Sequence, residues 1–311
     1  MTERTYGSPD AFRRALTDRL RALARESRWG LGQLQRQMAY DRLLERLYLV
    51  DDGWIVKGAA ALLAREIGVR ASIDIDVYRA KTLEIAEEEL REAAAHDIGD
   101  WFRFDIGPSQ PAGDGSPAAR LPVIAYIGQP EWARFHVDLV GSEIVMTGTP
   151  EHVPPLARIA IPDVEQHGYR AYPLVDHIAD KIASMFQRYG RDRQLSTRYR
   201  DLVDLVSIVG AASVDAQAQT IALRSEEQRR GIALPNHFDV PDRAAWEPGY
   251  AREAERSLLP YAKTLGEALA VVKPFIDPLL DESAQGRWNT AFARWTTHGN
   301  SHAESLPRDG K

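Results

Sequence analysis

The run RASIDIDVYR, residues 70–79, constrains this chain more than any other. Side chains alternate along a strand, so Ser72, Asp74 and Asp76 share one face while Ile73, Ile75 and Val77 share the other. The apolar side predicts burial against a core, which leaves a pair of like charges on the opposite side. At a same-face spacing of roughly 6.6 Å and an effective dielectric of about 20, two ionised carboxylates repel by about 2.5 kcal/mol. Something cationic must offset that, so this stretch predicts a sheet with one dry face and one face that meets positive charge.

The remaining sequence has room for such a sheet and a real core: 311 residues make one large domain or two ordinary ones. A net charge of -6 excludes a wholly basic nucleic-acid coat, so contact with a polyanion has to come from a local patch or through metal. The absence of cysteine excludes disulfides and cysteine-ligated zinc, and it fits a reducing compartment. No apolar run is long enough to span a bilayer, and MTERTYGSPDAFRRALTDRL lacks a hydrophobic signal core. These features predict a cytoplasmic protein with no membrane partner.

Periodicity orders the elements. Ser8 is a candidate N-cap for a helix marked by Phe12, Leu16, Leu20 and Leu23, and a second, less regular helix runs to about Tyr48. Trp54 to Val56 reads as a strand that turns at Gly58 into a helix over 59–67, with Gly68 as its C-terminal cap. The strand with the aspartates follows, then a charged helix from Leu83 to Ala95. DWFRFDIG and LPVIAYIG read as strands separated by PSQPAGDGSPAA, a mobile hairpin loop. In ARFHVDLVG, Phe135, Val137 and Leu139 alternate with His136 and Asp138, which puts Asp138 on a polar face. Residues 148–173 hold five prolines and little periodicity, which places a boundary between a unit at 1–150 and a helical unit at 151–311. In the second unit, LVDHIADKIASMFQRYG carries His177, Lys181, Ser184 and Arg188 as a polar stripe, and RYRDLVDLVSIVG carries Asp201 and Asp204 one turn apart. Further helices are predicted over 214–230, 250–257, 262–281 and 284–297, with a loose tail from Ser301.

Two carboxylates on one strand face and a third on a neighbouring strand suit hard divalent cations. Magnesium takes oxygen ligands, keeps several waters and is commonly completed by substrate phosphates. Asp74, Asp76 and Asp138 are the candidate ligands, and phosphoryl or nucleotidyl transfer is the chemistry such a site serves. Gly58 at a strand-to-helix junction offers backbone amides to a phosphate, Ser72 offers a hydroxyl, and Lys181 offers positive charge for the leaving phosphates. Asp204 is placed to orient Lys181 or the base and ribose. Each has a plain structural reading: a solvated strand face, a turn glycine, a lysine paired with a nearby acid, and an Arg200–Asp204 pair along one helix. Together and in this order they carry more than their sum.

In this order they resemble the AbiEii/AbiGii toxin family of nucleotidyltransferases, which includes the MenT-type toxins. The stretches that carry the likeness are VKGAAALLAREIGVRASIDID, HIADKIASMFQRYGRDRQLSTRYRDLVDL, HFDVPDRAAW and FIDPLL with GRW. The resemblance implies an α/β fold of the polymerase-beta-like nucleotidyltransferase type, a mixed sheet flanked by helices with a helical C-terminal domain. It implies Asp74 and Asp76 as metal-binding aspartates beside the serine Ser72, Lys181 as the nucleotide-contacting lysine, Asp204 as the last active-site aspartate, and Lys57 and Gly58 in the nucleotide-binding turn. Ala59 stands where the family has glycine or serine, which leaves any phosphate contact there to backbone amides. The implied reaction takes an NTP with Mg2+ and moves the nucleotide to the 3′ acceptor end of tRNA, arresting translation, under the restraint of a cognate antitoxin protein.

A possible RNA surface stands apart from the resemblance: Arg188, Arg191, Arg193, Arg198 and Arg200 gather beside Tyr189 and Tyr199, with the arginines of the first helix as the other basic face. The competing readings are transfer of the nucleotide to a protein or small molecule, a metal-dependent nuclease, and an inactive module that binds RNA or a partner. A retaining glycosyltransferase also uses D-x-D but needs a strand-helix repeat at the N-terminus, where this chain has helices.

Overall fold

The computed structural model describes residues 5–68, 70–112, 118–142 and 144–297. Helix α1 (Pro9–Glu26) starts where Ser8 Oγ accepts the Ala11 amide, and it buries Phe12, Leu16 and Leu20 on one face. Helix α2 (Leu31–Val50) shows weaker periodicity because it is covered on nearly all sides. Its buried charges are satisfied: Arg42 and Arg46 hold Asp100, and Asp41 accepts the amides of Leu156 and Ala157.

Strand β1 (Trp54–Lys57), the short helix α3 (Gly58–Ala64), β2 (Asp74–Arg79) and α4 (Leu83–Ala94) follow. Helix α3 ends earlier than its composition suggests, and Glu66 rather than Gly68 takes the left-handed conformation beyond it. Gly68 serves close packing instead: a Cβ there would stand 2.9 Å from Leu63. Ile75 and Val77 are fully buried as the alternation requires, but Ile73 is 62% exposed. The strand begins only at Asp74, because the Ser72 carbonyl is drawn to Tyr40 Oη at 3.1 Å and the Ser72 hydroxyl donates to the Asp74 carbonyl.

Strands β3 (Phe102–Ile106), β4 (Gln110–Pro111), β5 (Ala118–Ile127), β6 (Glu131–Val140), β7 (Glu151–Val153) and β8 (Tyr169–Ala171) complete the main sheet. The order is β3-β5-β6-β2-β1-β8-β7, with β4 beside β5. The sheet is mixed: β2 runs parallel to β6 and β1 parallel to β8, while the other pairs are antiparallel. Thus the proline-rich stretch 148–173, read from the sequence as a boundary of little periodicity, adds two strands to the sheet. The expected hairpin loop after β3 lies partly, and the tail from Ser301 wholly, outside the described residues.

Beyond the sheet come α5 (Leu174–Phe186), α6 (Tyr199–Ala211), α7 (Ala216–Arg230), α8 (Arg243–Arg256), α9 (Leu265–Leu280) and a hairpin of β9 (Arg287–Asn289) and β10 (Arg294–Thr296). Two of these differ from expectation. Helix α8 starts earlier because Asp242 caps the amides of Ala244 and Ala245. Residues 284–297 form no helix: Gly286 sits at φ +76, and Trp288 and Trp295 pack on Phe275 from paired strands. One buried cluster joins the inner sheet face to α1, α2 and α4, and a second joins α5 to α9.

Candidate active site

Register brings the charged residues together. Lys57 on β1 pairs with Asp76 on β2, Asp76 with Asp138 on β6, and Asp138 with Arg120 on β5. Partners across neighbouring strands share a face, so four strands carry a row of one cation, two carboxylates and one cation. Asp74 lies two residues along β2, opposite His136. The alternate row, Val56, Val77, Leu139 and Ala119, is buried on the other face.

Lys57, Asp76 and Asp138 of this row belong to one wall of a cavity of about 600 Å3. Lys57, Gly58, Ser72, Asp74, Asp76 and Asp138 line it from the sheet side, and His177, Asp180 and Lys181 of α5 with Arg198 to Asp201 around the start of α6 line it from the other. Gly58 is required where it stands: φ is +61, and a Cβ would lie 1.8 Å from Asp76 Oδ2. The Asp76 carboxylate therefore rests directly on the β1–α3 turn. Burial, then the charge of Asp138, push Asp76 up to about 6 against the opposing pull of Lys57, Arg70 and Lys181. The Asp76 carboxylate has no hydrogen bond or ion pair among the described residues.

Lys57 lies 4.1 Å from the Tyr172 ring centroid, and burial lowers its pKa while Asp180 and Asp76 oppose that. Lys181 donates to Asp201 at 3.0 Å and to Asp204 at 2.7 Å. Burial works against its charge, but Asp201 and Asp204 outweigh it and raise its pKa. Asp204 also accepts both arms of Arg70 at 2.9 Å, and Lys181 and Arg70 hold its pKa below the usual carboxylate range despite burial. Asp204 thus braces Arg70 and Lys181 from behind; it is not among the residues that line the cavity. The Arg200–Asp204 pairing expected along α6 does not form, because Arg200 turns to Glu253 at 2.9 Å. His177 is kept neutral by burial and by Lys181, and its Nδ1 has no hydrogen-bond partner among the described residues.

Among the described residues no three or more histidine or acidic side chains are arranged to hold a metal ion as they stand. The donor set itself fits a hard divalent cation: three carboxylates at one cavity wall, one of them unpartnered and carrying a raised pKa beside a second acid. Arg120 donates to Asp138 through two nitrogens at 2.8 and 2.6 Å and to Asp74 at 3.2 Å, so it bridges two of the three carboxylates. Arg120, Arg70, His136, His177 and Asp180 are site residues that sequence reasoning did not single out for a role. Alternation along β5 puts Arg120 on the polar face, a signal available in the sequence, but its register with Asp138 was not.

The chain matches the family described as "Nucleotidyl transferase AbiEii toxin, Type IV TA system" over residues 42–295. Solved structures similar to it include MenT4, a nucleotidyltransferase toxin from Mycobacterium tuberculosis, at 16% identity and a TM-score of 0.49, covering 89% of this chain and 99% of that one. Another is JHP933 from Helicobacter pylori, at 15% identity and a TM-score of 0.46, covering 80% of this chain and 94% of that one. No curated protein matches the chain.

Proposed function

The chain belongs to the AbiEii family of nucleotidyl transferase toxins of toxin–antitoxin systems, and from that premise we propose that its cavity binds an NTP with magnesium and transfers the nucleotide to the 3′ acceptor end of tRNA. The observation that carries this reading is the cross-strand row of Lys57, Asp76 and Asp138, continued by Arg120 on β5, with its first three members facing Lys181 across one cavity. A volume of about 600 Å3 lies in the range of nucleotide-sized pockets.

Asp74, Asp76 and Asp138 would hold the magnesium. Once bound, it would supply charge neutralisation of the triphosphate and acidify the attacking hydroxyl. The chain's own residues do the rest. Lys57, Lys181 and Arg70 give the cavity its positive charge, which stabilises the pyrophosphate as the bond from the α-phosphorus breaks and the bond to the acceptor oxygen forms. Asp204 and Asp201 keep Lys181 protonated and fixed in direction. Ser72 holds the bend that presents Asp74, and Gly58 leaves room for Asp76.

An RNA acceptor is favoured over a protein or small molecule by the basic segment between α5 and α6. Arg188, Arg191, Arg193, Arg198 and Arg200 are exposed there, and Arg198, Tyr199 and Arg200 reach the cavity itself. In a chain of net charge -6 this is the kind of local patch that phosphate contacts need. The family's toxin–antitoxin setting implies an antitoxin partner. Among the described residues no helix is long and apolar enough to cross a membrane.

The test is incubation of the protein with magnesium, each labelled NTP in turn and total tRNA. Label at the tRNA 3′ end is expected. Label on a protein or a small compound points to the alternative acceptors, and shortened RNA points to a nuclease.

A further inference from the structure

Two of the three carboxylates are already occupied. Arg120 Nε donates to Asp138 Oδ1 at 2.8 Å, and its Nη2 donates to Asp138 Oδ2 at 2.6 Å and to Asp74 Oδ2 at 3.2 Å. The remaining oxygen of Asp74 lies 3.0 Å from His136 Nδ1. The carboxylate of Asp76, opposite Asp138 and two residues along β2 from Asp74, has no such partner among the described residues. The guanidinium is therefore bound two-armed to one acid and bridges to a second, the geometry in which arginine binds carboxylates most strongly. It stands where a divalent cation shared by Asp74 and Asp138 would need their oxygens, and two cations there repel each other.

We propose that Arg120 is a resident counter-cation that competes with the divalent cation for Asp74 and Asp138, so that binding the metal requires this guanidinium to leave. The inference rests on the reading of these carboxylates as the metal ligands. It explains how like charges on adjacent strands persist in the metal-free protein, and it makes the free chain a poor metal binder by construction. Arg120 is 37% exposed, so its release moves it toward solvent without opening the core. A bound triphosphate, itself an anion rich in oxygens, offers the released guanidinium a new partner.

The test is a titration of the full-length protein with Mn2+ alone, reading free Mn2+ by electron paramagnetic resonance, for wild type, Arg120→Ala, Arg120→Lys and Asp76→Asn. Removing a competitor tightens binding, so Arg120→Ala is expected to bind Mn2+ at least about tenfold more tightly than wild type, equivalent to about 1.4 kcal/mol. Arg120→Lys, which keeps the charge but loses the fork, is expected to fall between the two. Asp76→Asn combined with Arg120→Ala should lose the gain. If Arg120→Ala instead leaves Mn2+ affinity unchanged or lower while Asp76→Asn still abolishes binding, the carboxylate site stands and Arg120 is not its counter-cation. If Mn2+ binding ignores Asp76→Asn in every background, the ligand reading falls and this proposal with it. Should Arg120→Ala fail to fold, Arg120→Gln supplies the same uncharged comparison.

Discussion

Asp204 is 1% exposed and held by two cations, which makes it a charge on which structure and chemistry both depend. Taking away one partner of a buried network costs about 3–5 kcal/mol, so Asp204→Asn should lower the urea midpoint as well as nucleotide transfer. Its folded pKa is depressed by Lys181 and Arg70, so its stabilising contribution is fully present above the ordinary carboxylate range, starts to fall as pH drops into that range, and is lost as pH falls on through the depressed folded pKa below it. Wild type should therefore lose more stability than Asp204→Asn between about pH 7 and about pH 3; equal loss in both would contradict the ion pairing. Gly58→Ala tests the turn. With φ at +61 and Asp76 Oδ2 at 1.8 Å from the new methyl, it should cost about 1–2 kcal/mol of stability yet lower transfer by about a hundredfold, read by thermal melting beside the labelling assay. These residues were legible because strand alternation sorts Asp74, Asp76 and Asp138 onto polar faces without knowledge of the fold. Arg120 was not, because it precedes the apolar run of β5 and acquires its partners only through pairing with β6.

Helices α6 and α8 meet where Gly249 faces Tyr199, and a Cβ there would come within 2.4 Å of the ring. Tyr199 lines the cavity and stands edge-on to Trp246 at 5.0 Å, so this contact sets one wall of the site. Gly249→Ala should therefore overpack the junction at a cost of about 1–3 kcal/mol. Gly266 in α9 has open space around it, and Gly266→Ala should be neutral or more stable by about 0.5–1 kcal/mol. Chemical denaturation of the two variants checks the contrast, and similar shifts in both would contradict this packing. The amphipathic elements, α1, α4, α5 and α6, could be read from their spacing. The C-terminal hairpin could not, since Trp288 and Trp295 are paired across strands of three residues, too short for an alternation to show. Strands β7 and β8 were hidden for the same reason: three residues each, inside a proline-rich stretch.

The cavity is walled by the sheet on one side and by α5 and the start of α6 on the other, and the two buried clusters that support these walls are largely separate. A ligand touching both walls ties them together. Saturating NTP with magnesium, at about a hundred times its dissociation constant, should stabilise the protein by about 2.7 kcal/mol and raise its melting temperature accordingly. Asp76→Asn should show no such rise; an equal rise would place the ligand elsewhere. The order of polar motifs along the chain announced this meeting of the walls, whereas the angle between them and the bracing of Lys181 by Asp204 arise only from packing. Transfer of a nucleotide to an RNA end in this cavity, as proposed, is read out by the mass of the tRNA 3′ terminus after incubation with magnesium and each NTP. A gain of nucleotide mass is expected with wild type and none with a folded Asp76→Asn. An unchanged terminus with every NTP, or the same gain with Asp76→Asn, would contradict it.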